Sequence, residues 1–231
     1  MEDDFHHFGV TITHDGTTIQ KVHASSPRYP WTTCPGALEA IRVLEGKPLV
    51  ARASDIGQLA DMRRQCTHLF DLAGLTLAHA ANGHDHRRYE ILIPDRAVLW
   101  DDQGKLKGFG PTTATLSSEG TVLMAWNIDG QAIVGPDAYA GHSLQEGFRE
   151  WTEAMPLEEA EYATILRRAI LVGSGRLISM EKVETAEHTG MGPVCFTYQP
   201  EQRKLARFIQ AARLDFADRP EDLLRNVNDV P

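Results

Sequence analysis

The stretch that organises this sequence is Gln65-Cys66-Thr67-His68-Leu69-Phe70-Asp71-Leu72. It carries a thiol, an imidazole and a carboxylate close together, where the pattern predicts the opening of a helix. Thiolate, neutral imidazole and carboxylate are the side chains that bind zinc or iron in proteins. The N-terminus of a helix also favours negative charge on the groups beside it. The stretch therefore predicts one half of a metal site, whose other half must come from elsewhere in the chain.

The two remaining cysteines of the chain, Cys34 and Cys195, are the candidates for that other half. Cys34 comes directly before Pro35, and proline is favoured at the first position of a helix. Gly46 suits the residue that follows the helix end, so the pattern predicts Cys34 at a helix N-cap. Helix starts lower the pKa of a thiol, which makes it a better ligand or nucleophile.

Composition limits the functional classes that fit the chain. It has 231 residues, of which 42% are hydrophobic, with a formal net charge of −9 and a pI of about 5.5. An acidic balance argues against broad contact with nucleic acid phosphates. The longest apolar runs are too short to cross a bilayer and the N-terminus is acidic, so we expect a cytoplasmic protein without a membrane partner. An acidic chain of this size also fits a homodimer.

Hydrophobic periodicity and turn residues predict an α+β fold: antiparallel sheet with helices packed on one side, and helix N-termini that carry the cysteines. An Asp15-Gly16 pair predicts a hairpin over residues 8–24, and Ser25 to Pro30 should end it. Further strands are expected at 89–93, 97–100, 113–116, 121–126, 131–134, 177–183 and 194–198. Further helices are expected at 35–46, from 54, through 69–79, and at 143–151, 156–171, 200–214 and from 218.

We expect residues 1–231 to form a single domain. The polar loop at 82–88 is a plausible boundary within it, which would separate residues 1–81, with the Cys/His motif, from a sheet-and-helix part at 89–231.

The motifs resemble a bacterial family described only as a domain of unknown function. Its signature is Gly-Cys-Thr-His-Leu-Thr-Glu-Leu, with a Cys-Pro pair earlier in the chain and another cysteine late in it. Here these elements are Cys34-Pro35, the Gln65–Leu72 stretch and Cys195, and the resemblance covers residues 8 to 80 with the segment around Cys195. Gln65 stands where the family prefers glycine, and Asp71 where it prefers glutamate. The resemblance implies a site but supplies no reaction.

The leading hypothesis is a metal held by Cys34, Cys66, His68 and Cys195, with Asp71 as a fifth ligand or as a partner of a ligand. Neighbours at i and i+2 on a helix diverge by about 200°. Cys66 and His68 therefore converge only if Cys66 lies before the first turn.

Two other interpretations stay open. Cys34 or Cys66 could be a nucleophile with His68 as its base, or the cysteines and His68 could be ordinary core residues. His6 and His7 are expected to be disordered.

The sequence thus favours a metal-dependent enzyme that acts on a small organic substrate, with His68 and Asp71 as candidate catalytic residues. Arg28, Tyr29 and Trp31 are the groups expected beside a substrate pocket. Zinc and iron both fit the ligand types. The alternatives are an iron-sulfur cluster or metal carrier, built on three thiolates, and a structural zinc domain that binds a partner.

Overall fold

The fold is described from a computed structural model of the chain, which describes residues 1–180 and 183–225. The chain forms two compact units. One consists of Met1–His84 and the described residues that follow Ser179, and the other is Asp85–Ser179. Antiparallel sheets and helices occur together, so the predicted α+β class is confirmed. No helix among the described residues is long and apolar enough to cross a membrane.

The first unit opens with a hairpin of β1 (His7–His14) and β2 (Ile19–Arg28). The predicted turn is confirmed, since the Asp15 carboxylate accepts the backbone N–H groups of Thr17 and Thr18 at 3.0 and 2.8 Å. The predicted break after Ala24 is wrong. β2 runs on through Pro27 because the register shifts between His7 and Gly9, and proline is tolerated at such an irregular position.

Short helical turns connect the hairpin to the main helix of this unit. They are a 3₁₀ turn at Cys34–Gly36, α1 (Ala37–Ala40), 3₁₀ turns at Ile41–Leu44, Ala53–Asp55 and Met62–Arg64, and α2 (Ile56–Leu59). The main helix, α3 (Thr67–Asn82), ends at Gly83 in the left-handed conformation. Its buried face, with Phe70, Ala73 and Leu77, packs against hairpin residues such as Ile19 and Val22.

The segment after Ser179 completes the first unit with short turns. They are 3₁₀ turns at Ala186–Thr189, Phe196–Tyr198, Gln210–Ala212 and Pro220–Asp222, and α6 (Pro200–Arg203). The predicted strand at 194–198 is wrong, because Phe196 donates its N–H to Gln65 rather than to a ladder.

The predicted helix at 200–214 is also wrong beyond Arg203. There the backbone of residues 207–209 pairs with residues 30–32 instead. Thr32 donates its N–H to the carbonyl oxygen of Arg207, and Ile209 donates its N–H to that of Pro30. The expected strand at 177–183 falls partly on residues 181 and 182, which lie outside the described residues.

The second unit is a sheet covered by helices. Its four strands have the order β3-β6-β7-β8, and a separate ribbon pairs β4 with β5. Their bounds are β3 (Glu90–Leu92), β4 (Val98–Trp100), β5 (Leu106–Phe109), β6 (Thr112–Ser118), β7 (Thr121–Asp129) and β8 (Ala132–Gly135). Alternate residues such as Leu116 and Trp126 face the core.

Two helices, α4 (Phe148–Glu153) and α5 (Leu157–Gly173), cover the core of this sheet, and a 3₁₀ turn at Ser174–Leu177 follows. The helix predicted to start at Ser143 begins later. The Ser143 hydroxyl does accept the N–H groups of Gln145 and Glu146, but Gly147 adopts a φ of +67° and delays the helix to Phe148.

Candidate metal centre

Three side chains of the first unit form the only group of three or more potential metal ligands that the described residues bring together. They are Asp3, His6 and His68, and we call them the His–Asp cluster. One ligand atom from each residue lies within 4.8 Å of the other two. His6 is 7% exposed, and Asp3 and His68 are half-buried. The cluster thus combines a carboxylate and two imidazoles in a partly buried place.

A tight turn before β1 positions Asp3 and His6. One oxygen of the Asp3 carboxylate accepts the backbone N–H groups of Phe5 and His6, both at 2.8 Å. The same carboxylate contacts His6 Nδ1, at 2.9 Å from Oδ1 and 3.1 Å from Oδ2. The side chains of asparagine and aspartate commonly close such turns by accepting hydrogen bonds from backbone N–H groups a few residues later. The turn therefore fixes the carboxylate and the first imidazole together.

The start of α3 supplies the second imidazole. Cys66 is the N-cap, with extended backbone angles of −69° and 122°, so His68 lies in the first turn of the helix. The ring of His68 stacks on that of His6, with 3.9 Å between centroids and 29° between planes. Phe8 of β1 lies beside both rings, at 5.3 Å from His6 and 6.1 Å from His68.

The electrostatics of the cluster favour an ionised carboxylate. Burial alone would raise the pKa of Asp3. The charge of His6, the hydrogen bond from its ring and the charge of His68 oppose burial, and they hold the pKa of Asp3 well below its usual range. Asp3 is therefore a carboxylate at neutral pH, which is the form that binds a cation.

Arg28 ties the turn that carries the cluster to the rest of the unit. Its guanidinium donates to the backbone oxygens of Asp3, His6 and Ala212, at 2.5, 3.3 and 2.9 Å. It also forms an ion pair of 3.0 Å with Glu2, and both side chains are nearly buried. Arg28, which was predicted to lie beside a substrate pocket, thus donates hydrogen bonds to the turn that carries Asp3 and His6.

The other residues expected beside a pocket pack into the unit. Trp31 is 6% exposed and makes edge contacts with Tyr198 and Phe208. Tyr29 packs against the buried cluster that contains Phe8 and Cys66. Asp71, the other candidate catalytic residue, is half-buried in α3 and does not belong to the His–Asp cluster.

The three cysteines also lie in the first unit. Each stands at the start of a helical segment: Cys34 opens a 3₁₀ turn, Cys66 caps α3 and Cys195 caps the 3₁₀ turn at Phe196–Tyr198. We call them the thiol cluster. Within the described part of the chain, their sulfurs do not form a group of three ligand atoms all within 4.8 Å of one another. His68 of the predicted four-ligand set joins Asp3 and His6.

Cys34 and Cys66 lie in surroundings that keep their thiols protonated at neutral pH. Burial raises the pKa of Cys34 to about 11. Burial also raises the pKa of Cys66, although backbone N–H groups of Leu69 and His68 act in the opposite direction. A buried, neutral thiol is a poor nucleophile, which weighs against the interpretation of Cys34 or Cys66 as a nucleophile.

Sequence reasoning missed Asp3 and His6. The expectation that His6 and His7 are disordered is wrong, since they are 7% and 6% exposed. The available signal was the pair of aromatic residues that flank them, Phe5 and Phe8, which are both buried. Aromatic residues on each side of a polar pair favour a packed segment over a solvated tail.

Comparison with known proteins bears on one part of the chain. No curated protein and no solved structure matches the chain. A family model with the description "Protein of unknown function (DUF2889)" matches residues 1–81. That range contains all three residues of the His–Asp cluster, together with Cys34 and Cys66, but not Cys195. Residues 1–81 are thus similar to a domain-of-unknown-function family, DUF2889.

Proposed function

We propose that the protein is a metal-dependent enzyme acting on a small organic substrate, and that its metal is held by Asp3, His6 and His68. The observation that carries this proposal is the approach of the three ligand atoms to within 4.8 Å of one another. His68 was also a ligand in the set predicted from the sequence. Asp3 and His6 here take the place of the three thiolates of that set.

The spacing of the atoms supports a shared ion. Metal bonds to carboxylate oxygen and imidazole nitrogen measure about 2.0–2.2 Å, so neighbouring ligand atoms around one ion lie about 3 Å apart. The Asp3 oxygens lie 2.9 and 3.1 Å from His6 Nδ1. An ion can therefore replace this hydrogen bond with little movement of either side chain.

The number of ligands favours catalysis over a purely structural role. Four filled protein positions are typical of structural zinc sites, whereas catalytic sites keep one position for water or substrate. Two histidines and one carboxylate form the ligand set of many mononuclear iron enzymes, and they also suit zinc and manganese. At the open positions an ion of this kind polarises a carbonyl group or activates water.

The ligand chemistry also ranks the alternatives. Iron-sulfur clusters are held by thiolates, and the closely spaced cluster contains none. A metal carrier built on the cysteines, or a structural zinc domain, would use the thiol cluster and would leave the His–Asp cluster without a role. Both stay behind the enzyme as candidates.

A manganese titration tests this proposal. Mn²⁺ prefers oxygen and nitrogen ligands to thiols, and its free ion has an electron paramagnetic resonance signal that weakens on binding. We expect one equivalent to bind the wild type. Loss of a residue that only hydrogen-bonds a metal ligand weakens metal binding by about 10- to 100-fold. His6→Ala and His68→Ala should each weaken Mn²⁺ binding by more than this. His86→Ala, an exposed histidine of the polar loop, is the matched control.

The relaxation rate of water protons separates the enzyme from a structural site. An ion with open positions carries exchangeable water, so bound Mn²⁺ should speed water relaxation strongly. Mn²⁺ binding that is equally tight in His6→Ala and His68→Ala would refute the ligand assignment. Bound Mn²⁺ without exchangeable water would refute the catalytic role.

A further inference from the structure

We propose that Cys34, Cys66 and Cys195 form a second metal site, separate from the His–Asp cluster, which binds one thiophilic ion of the zinc class through three thiolates. The site does not depend on the proposed function. Its ligands come from three distant parts of the sequence, so an ion there cross-links the first unit.

Hydrogen bonds beside each cysteine bring the three segments together. Phe196, next to Cys195, donates its N–H to the carbonyl oxygen of Gln65, next to Cys66, at 2.9 Å. The sulfur of Cys34 lies 3.4 Å from the hydroxyl of Thr197. Thr197 also accepts a hydrogen bond of 3.2 Å from the hydroxyl of Thr33. Every cysteine is thus held within two residues of a direct contact to another cysteine-bearing segment. The three sulfurs do not all lie within 4.8 Å of one another, so binding of one ion by all three requires a side-chain rotation of at least one cysteine.

The segments that carry the cysteines are closely packed. A methyl group on Gly36 would lie 2.7 Å from the ring of Phe196, so these two segments are in tight contact. Cys66 is 8% exposed, and Cys34 and Cys195 are half-buried. Cys34 and Cys195 pack against a buried cluster that contains the aromatic residues Trp31 and Tyr198. The packing therefore holds the three cysteine-bearing segments against one another.

The chemistry of the group favours a metal over a disulfide. A disulfide would use two of the sulfurs and leave the third as a buried thiol, whereas a zinc-class ion takes up to four ligands and can use all three. When three metal–sulfur bonds form, the three S–H protons pass to the solvent. Each metal–sulfur bond replaces an S–H bond, and the positive ion offsets the repulsion between the three negative charges.

Cys66 is the N-cap of α3, and His68 lies in the first turn of the same helix. The ring of His68 stacks on that of His6. The start of α3 therefore contributes Cys66 to the thiol cluster and His68 to the His–Asp cluster.

A cobalt titration of the reduced, metal-free full chain tests the second site. Thiolate-bound Co²⁺ has an intense charge-transfer absorption that nitrogen and oxygen ligands do not produce. We expect this band to reach the intensity of three thiolates and, in His6→Ala, which lacks a ligand of the His–Asp cluster, to saturate at one equivalent. Cys34→Ser and Cys195→Ser should each lower the intensity by about a third and weaken Co²⁺ binding at least tenfold. His6→Ala is the control, because it should leave the band unchanged.

A second measurement guards against variants that fail to fold. In the wild type, Zn²⁺ in excess of two equivalents should protect all three thiols from a thiol-modifying reagent. Absence of the charge-transfer band, or equal thiol reactivity with and without Zn²⁺, would overturn the site. A wild-type protein that shows the Co²⁺ band but does not bind Mn²⁺ would reject only the proposed enzyme. A wild-type protein that binds Mn²⁺ but shows no Co²⁺ band would reject only the thiol site.

Discussion

At the scale of single residues, the His–Asp cluster depends on Asp3, whose carboxylate lies between a backbone turn and two imidazoles. Its pKa is lowered in the folded chain relative to the usual value of about 3.9. A depressed pKa means that the ionised group stabilises the fold. This stabilisation is complete above about pH 4 and is lost as the pH falls through the folded pKa.

Asp3→Asn should therefore reduce the free energy of unfolding at pH 6, and the difference from wild type should shrink as the pH falls below about 4. Urea unfolding of metal-free protein across this pH range measures it. Asp102→Asn, in an exposed turn, is the control and should change little. An Asp3→Asn deficit that is equal at pH 6 and at pH 2.5 would contradict the assigned ionisation.

Only part of the site could be predicted from the sequence. His68 was predicted because a thiol, an imidazole and a carboxylate at a helix start form a local pattern. Asp3 and His6 could not be assigned, because their role depends on the ring of His68, which is distant in sequence. Arg28 was predicted as polar and close to the site, but its hydrogen bonds to Asp3 and His6 exist only in the folded chain.

At the scale of elements, the close packing of α3 against the turn before α2 gives a sharp test. An alanine at Gly74 would place its methyl group 2.5 Å from the carbonyl oxygen of Ala53. Alanine gains about 1 kcal/mol over glycine within a helix. Overpacking of a tight contact costs about 1–3 kcal/mol, and a backbone oxygen cannot move aside easily.

Gly74→Ala should therefore lower the free energy of unfolding, by up to about 2 kcal/mol after the gain in helix propensity is subtracted. Chemical denaturation followed by circular dichroism provides the value. Gly192→Ala, where a methyl group meets open space, is the matched control and should be neutral. A stabilised Gly74→Ala variant would mean that α3 does not pack in this way.

Local signals explain which elements could be predicted. The Asp15-Gly16 turn, the spacing of apolar residues in α3 and the alternation in β6 and β7 are all contained within one segment. Residues 200–214 have helical periodicity, but pairing of residues 207–209 with residues 30–32 overrides it. Tertiary hydrogen bonds decide that region, and no short window of sequence contains them.

At the scale of the whole molecule, each of the two units has its own core. The buried core of the second unit, which includes Leu116, Trp126 and Leu166, lies entirely within Asp85–Ser179. In the first unit, by contrast, residues before His84 depend on partners after Ser179. Ala212, for example, accepts from Arg28, and Phe196 donates to Gln65.

Residues 85–179 should therefore fold when expressed alone, whereas residues 1–84 should not. The first fragment contains Trp100, Trp126 and Trp151, so a cooperative change in tryptophan fluorescence on urea unfolding would demonstrate its fold. For residues 1–84, circular dichroism should show little of the helix content expected from α3. A cooperatively folded 1–84 fragment, or an unfolded 85–179 fragment, would contradict this division.

Anomalous diffraction from crystals of the full chain soaked in Mn²⁺ would locate the ion directly. We expect one strong anomalous peak at bonding distance from a carboxylate oxygen of Asp3 and from one ring nitrogen each of His6 and His68. The remaining positions around the ion should hold water. A peak bound elsewhere, or no peak at this cluster under conditions where Mn²⁺ binds in solution, would contradict the claim that Asp3, His6 and His68 hold the metal.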